Sequence, residues 1–370
     1  MMEKGRRDFL ISISLCMIVR DEEQVLDRCL RGASQVAEEL IIVDTGSEDH
    51  TREIAGKYTE QVYEFPWEDD FSKARNFSFE KATKEYLLWL DADDVITEDS
   101  VQRLKELKET LPRKTDIVMM PYVTAFDPEG NALFFYDRER IVRNTEEYRF
   151  EGRVHEAIPL KGHIFYSPIP VEHRKSKNAD GRRNLRIYRK MEQEGVKFQA
   201  RELYYYGREL LNAGKFREGA DKLECFLKRE DAWRENQIDG TRQLAKCYER
   251  MGREEERLHA LLRGLSFDVP RGETACELGR CFLERGELEQ AAYWYHQALS
   301  AKKAVRAGAF IQEECYGYLP AISLCVCYDR MGEFEKAEAY NELAGKFQPY
   351  SQYYLQNRVY FQQRKEAHPV

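Results

Sequence analysis

No stretch of this 370-residue sequence is apolar for long enough to cross a bilayer. The longest such run, Phe9 to Val19, has eleven residues, where a spanning helix needs roughly 20. A cleavage site of small residues is missing as well: the run passes directly into Arg20, Asp21, Glu22 and Glu23. The export signal suggested by Arg6-Arg7-Asp8-Phe9-Leu10 therefore gives way to a buried first strand. Paired CxxC spacing is absent. The nine cysteines, an odd number, stand at 16, 29, 225, 247, 276, 281, 315, 325 and 327, which excludes a common zinc framework and points to buried, reduced thiols in a cytoplasmic protein without membrane insertion. An excess of positive charge is lacking too. The net charge of −8 excludes general nucleic-acid binding, which needs a basic face to displace counterions.

What is present is a composition with ample core, 42% apolar and 34% charged, in a chain long enough for two domains. Up to about residue 175 short apolar runs alternate with amphipathic stretches. "ISLCMIV", "ELIIVDTGS", "TEQVYEF", "EYLLWLDADD" and "TDIVMMPYVTAF" read as strands. "EEQVLDRCLRGASQVA", "DHTREIAGKY", "FSKARNFSFEKATK" and "TEDSVQRLKELKETL" read as helices. Such alternation implies βαβ units and a mostly parallel sheet, with ligands bound beyond the carboxyl ends of its strands. From about residue 200 the period becomes helical, and Gly214, Gly252, Gly286 and Gly332 recur at spacings of 38, 34 and 46 residues. A two-helix repeat of about 34 residues with small residues at the crossing is the tetratricopeptide pattern. The third copy fits it through Gly279, Phe282, Gly286, Ala291, Tyr295 and Ala298. Gly219 and Arg257 stand where alanine is expected, and the last step implies an insertion near "VRAGAFIQEECYGY". The boundaries expected are 1–195 for the α/β domain and 196–370 for the all-α repeats.

Two strand ends carry the chemistry. In "YLLWLDADD" the apolar run delivers Asp91, Asp93 and Asp94 to the sheet edge. An extended backbone would point Asp91 and Asp93 the same way. Hard divalent cations prefer such oxygens and commonly keep substrate phosphates as further ligands. Taken alone, Asp93 or Asp94 could equally cap the helix that starts near Thr97. In "IIVDTGSEDHT" Asp44 ends a strand before a Thr-Gly-Ser turn and a helix start that favours anions, and Ser47 or Asp49 could cap that helix.

Together the strand "ISLCMIVRDEE", the turn "VDTGSEDHT", the segment "WEDDFSKARNFSFEKA" and the D-x-D of "WLDADD" resemble the family 2 glycosyltransferases, whose fold is GT-A. The resemblance implies a metal-dependent, inverting transferase that moves a hexose from a UDP-sugar. It implies that Val19, Glu22, Asp44, Arg75, Asp91 and Ala92 contact the nucleotide-sugar, and that Asp93 binds Mn2+ or Mg2+ with His173 completing the site. Inversion needs a base opposite the leaving diphosphate. "YRFEGRVHEAIPL" supplies Glu156, with Glu151 and His155 as rivals. Arg174, Lys175 and Lys177 could neutralise phosphate. A GT-A domain followed by tetratricopeptide repeats is similar to bacterial enzymes that glycosylate peptides and proteins, above all the sublancin-type S-glycosyltransferases. That comparison implies a peptide or protein acceptor and a homodimer formed through the repeats. A glycan or lipopolysaccharide-type acceptor and an inactive binding scaffold are the alternatives.

Overall fold

The computed structural model describes residues 10–126, 130, 132–175, 181–304 and 311–367. The chain divides into two compact units, Met1–Lys197 and Phe198–Val370.

In the first unit β1 (Ile13–Val19), β2 (Glu39–Asp44), β3 (Val62–Glu64) and β4 (Tyr86–Trp89) run parallel in the order β3-β2-β1-β4. The apolar run near the start is thus an inner strand, paired on both sides. Strands covered on both faces must be apolar throughout rather than alternating, and β2 and β4 are buried at every position. One face carries α1 (Leu26–Ala33), α2 (Thr51–Gly56) and α4 (Glu98–Thr110), through residues such as Leu26, Leu30, Ala55, Val101 and Leu104. The α1 stripe Leu26, Cys29, Leu30, Ala33 has the spacing of one helix face. The other face is covered by α3 (Phe71–Lys81) and by the segment carrying Tyr148, Phe150 and Ile158.

The sheet is mostly parallel, as expected, with five parallel pairings among the described residues, and it becomes mixed through three antiparallel ones. Beyond β4 lie β7 (Ala132–Arg143), antiparallel to it, and β6 (Ile117–Phe126), antiparallel to β7. β8 (Ile164–Tyr166) and β9 (Val171–His173) run parallel to β6, and the two-residue β5 (Asp94–Val95) pairs antiparallel with β9. A register shift opposes Val118 to Ile141 but Met119 to Glu139, leaving Arg140 as the extra residue. Such a bulge re-aims side chains, and here it accompanies the insertion of an arginine into the core. The stretch 148–160, which supplies the candidate bases, forms no strand: its pairing is an isolated bridge between Glu151 and Ala157. A helix, α5 (Arg183–Gln193), follows.

The second unit is helical among its described residues. α6 (Ala200–Asn212) and α7 (Phe216–Leu227), α8 (Arg234–Arg250) and α9 (Glu254–Arg263), α10 (Gly272–Glu284) and α11 (Leu288–Ser300), and α12 (Tyr318–Arg330) and α13 (Phe334–Phe347) form successive hairpins, followed by α14 (Gln352–Ala367). The recurring glycines close each hairpin in the left-handed region, with φ between 69° at Gly252 and 79° at Gly332, where a side chain is strained. The two departures from alanine have local reasons. A Cβ at Gly219 would meet the Gly207 carbonyl oxygen at 3.1 Å, so glycine permits that close crossing. Arg257 is buried and donates to Glu284 at 2.6 Å and Glu254 at 3.0 Å. Of the insertion, residues 305–310 lie outside the described residues, and a 3-10 turn at Glu313–Tyr316 leads into α12.

Candidate active site

β1, β2 and β4 end along one edge, with Val19 in register with Asp44. Asp44 is almost fully buried. Its Oδ1 accepts from the backbone N–H groups of Gly46 (3.0 Å) and Ser47 (2.9 Å), while Oδ2 is buried without a partner. A buried acceptor of this kind costs about 1–3 kcal/mol unless something donates to it. Gly46 makes the turn with φ of 107°. The backbone carbonyl of Val19 accepts from Thr45, and Glu22 holds the next turn through its own carbonyl, which accepts from Val25 and Leu26. Neither Ser47 nor Asp49 caps α2 at the position adjoining it; His50 stands there. Asp49 accepts from the Thr51 N–H at 2.9 Å.

The D-x-D segment is a turn, not an extended strand. β4 ends at Trp89, the Asp94 N–H donates to the Asp91 carbonyl at 3.0 Å, and the Asp91 N–H donates to Asp94 Oδ2 at 2.9 Å. Asp91 and Asp93 therefore part company. Asp91 turns to Arg75, whose Nη2 donates to it at 2.7 Å, while Arg75 Nε donates to Glu156 Oε1 at 2.6 Å. The guanidinium is 9% exposed and stacks 4.9 Å from the Trp89 ring centre and 5.3 Å from that of Phe150. Burial works against ionisation of Asp91, but the charges of Arg75 and Arg140 outweigh it and hold the carboxyl well below its usual range. Ala92 is buried inside the turn.

Asp93 meets His173. β5 and β9 pair Asp94 with His173, bringing His173 Nδ1 within 3.3 Å of Asp93 Oδ1 and 3.6 Å of Asp94 Oδ1. Asp93, Asp94 and His173 offer ligand atoms that lie within 4.8 Å of one another. Two carboxylates and an imidazole suit Mn2+ or Mg2+ by donor type. Hydrogen bonds to Asp93 and Asp94 raise the imidazole to about 9 against the opposing effect of burial, and a cation bound there competes with that proton.

Asp94 is more than the helix cap the sequence suggests. It is wholly buried, 3.0 Å from Arg140 Nη2, and accepts from Tyr122 Oη at 2.9 Å. Thr97 itself caps α4, accepting from the Ser100 N–H at 3.2 Å. The sequence marks Asp94, the third aspartate of "DADD", only as a carboxylate at the sheet edge or a helix cap, and Arg140 does not stand out as a site residue in it. The rivals of Glu156 are placed differently. Glu151 is exposed on its bridge to Ala157, and His155, with φ of 53°, stacks its ring 6.5 Å from Tyr188. Arg174 pairs with Glu172 at 2.9 Å and lies over Phe126, Lys175 is exposed, and Lys177 lies outside the described residues.

Residues 14–159 match the family model for glycosyl transferase family 2. Over 149 residues the chain is 34% identical to a TPR repeat-containing protein of Synechococcus elongatus, covering 40% of this chain and 36% of that one. Over 233 residues it is 29% identical to the SPbeta prophage-derived glycosyltransferase SunS of Bacillus subtilis, covering 58% and 52%. The chain thus spans about half or less of the length of these relatives. Among solved structures, MamA aligns with a TM-score of 0.36 and 17% identity over 45% of this chain and 88% of its own. The first unit, whose parallel strands β2 and β4 end at Asp44 and Trp89, thus carries a match to glycosyl transferase family 2 across residues 14–159.

Proposed function

We propose that the chain transfers a hexose from a UDP-sugar, with inversion, to a peptide or protein side chain. The observation that carries this is the group Asp93, Asp94 and His173 beside the strand ends, a donor set suited to the cation of a nucleotide diphosphate. The unpartnered Asp44 Oδ2 supports it as an acceptor for the base N–H. A bound Mn2+ or Mg2+ would neutralise charge on the diphosphate. Arg75 fixes Asp91 and Glu156 on either side of one guanidinium, so both carboxylates keep defined positions. Glu156 takes the proton of the acceptor nucleophile as its lone pair forms the bond to the anomeric carbon. The bond from that carbon to the diphosphate oxygen breaks, and its electron pair leaves with UDP. Two adjacent helical hairpins and their successors offer a surface on which a polypeptide acceptor or a second copy could dock.

The test is release of UDP, GDP or dTDP from a panel of nucleotide sugars by the purified chain, with Mn2+ and with chelator. UDP release from one sugar only with metal is the expected result; absence of any nucleotide release or binding would sink the proposal. UDP with Mn2+ at 100 times its dissociation constant should stabilise the native state by about 2.7 kcal/mol, read as an increase in melting temperature. Asp93→Ala is expected to weaken the metal-dependent binding about 100-fold, since removing a direct ligand costs at least as much as disturbing its supporting residues. Calorimetry with UDP and Mn2+ checks this, and an unaltered affinity would move the cation elsewhere.

A further inference from the structure

Three arginines crowd one buried tryptophan. The guanidinium carbons of Arg75, Arg138 and Arg140 lie 4.9, 4.8 and 4.1 Å from the Trp89 ring centre. Any two are therefore at most about 10 Å apart. Their remaining bonding capacity differs. Arg75 is engaged by Asp91 and Glu156 at 2.7 and 2.6 Å. Arg140 has no exposure and faces Asp94. Arg138 keeps 24% of its side chain exposed and touches the neighbouring Glu139 at 3.4 Å, a length at which a hydrogen bond is weak.

We infer that Arg138 is the donor's diphosphate-binding residue, holding the phosphate oxygens before transfer and the leaving UDP after it. The inference rests on the UDP-sugar proposal above. Charge balance supports it: Arg75 is shared between two carboxylates, Arg140 is matched by Asp94 and Arg138 by Glu139, and Asp93 and Asp44 add further negative charge. An incoming diphosphate meets a surplus of its own sign unless cations offset it. A divalent ion would answer Asp93, and Arg138, part-exposed and held by Glu139 only at 3.4 Å, supplies a further cation in the planar fork that fits phosphate oxygens. Burial opposes the charge of Arg138, yet Glu139, Tyr136, Glu156 and Asp91 keep it firmly protonated.

Arg138→Met keeps the aliphatic stem against Trp89 while removing the charge. With Mn2+ present, UDP affinity by calorimetry is expected to fall roughly 10- to 100-fold, as for a lost hydrogen bond to a charged group. Uridine affinity, read by ligand-observed NMR, should stay within about twofold, because uridine has no phosphate for the residue to bind. Arg138→Lys should recover part of the UDP affinity, and it provides the test if the methionine variant fails to fold. Equal losses for UDP and uridine, or tight UDP binding by both the wild type and Arg138→Met, would overturn this assignment alone. A wild-type chain that binds no nucleotide would overturn the donor proposal together with it.

Discussion

Replacing Arg140 by leucine is expected to lower the stability of the first unit by about 3–5 kcal/mol, the usual cost of removing one partner from a buried ion pair. Arg140 and Asp94 have no exposed surface and stand 3.0 Å apart. Their contact is one of charge rather than an aligned hydrogen bond, since Arg140 Nη2 and Nε find no acceptor in bonding geometry. The guanidinium also lies 4.1 Å from the Trp89 ring centre and 4.3 Å from that of Tyr122, and it donates to the Trp89 carbonyl at 3.2 Å. Leucine would refill part of the volume but leave the Asp94 carboxylate buried opposite apolar atoms, and that desolvation outweighs the packing gained. Native-state hydrogen exchange isolates the effect without assuming that the two compact units unfold together. The amides of β4 and β7 should lose protection by about 150- to 5,000-fold. Adding Asp94→Asn should restore much of it, because the unpaired charge is then gone, and the double-mutant cycle should show coupling above about 1 kcal/mol. Protection unchanged in Arg140→Leu would mean that this pair contributes nothing to holding the sheet.

The same pair shows where sequence legibility stops. β1, β2 and β4 are visible because strands buried on both faces must be written as continuous apolar runs, and α1 and α4 because their buried residues recur at helical spacing. β7 is not, because "DRER" places four charges in succession, the pattern of a solvated segment. Yet Glu139 and Arg140 are buried there. What stabilises them is Asp94 and Trp89, which become neighbours only after β4 and β7 pair. Likewise the D-x-D letters reveal carboxylates but not the turn that separates Asp91 from Asp93, since that turn is closed by the Asp94 side chain. The contact of Arg75 with Glu156 spans 81 residues. The family resemblance picked out both as candidates, and only the fold puts them in contact. Glu151 and His155 carried the same kind of signal and lie in different surroundings, because residues 148–160 form a loop whose direction no alternation encodes.

Glu156→Gln is expected to reduce transfer by about 10²- to 10⁴-fold, the range that a positioned general base contributes, while UDP affinity with Mn2+ changes by no more than a few-fold. The substitution is close to isosteric. Its amide oxygen can accept the Arg75 Nε–H where Glu156 Oε1 now does at 2.6 Å, so Arg75 should continue to hold Asp91. What is lost is the capacity to take a proton from the acceptor as it attacks. Alanine would be a poorer probe, because it would leave a guanidinium that is 9% exposed without one of its two carboxylates, and loss of activity could then follow from a displaced Asp91. The discriminating readout is therefore the separation of kcat from donor binding: kcat should collapse in the glutamine variant, whereas the calorimetric titration of UDP should superimpose on that of the wild type within a few-fold. A weakened UDP titration would make Glu156 a positioning residue for Arg75. Turnover near the wild-type rate would free Glu156 of any catalytic role and return the search for the base to His155 and its neighbours in the same loop.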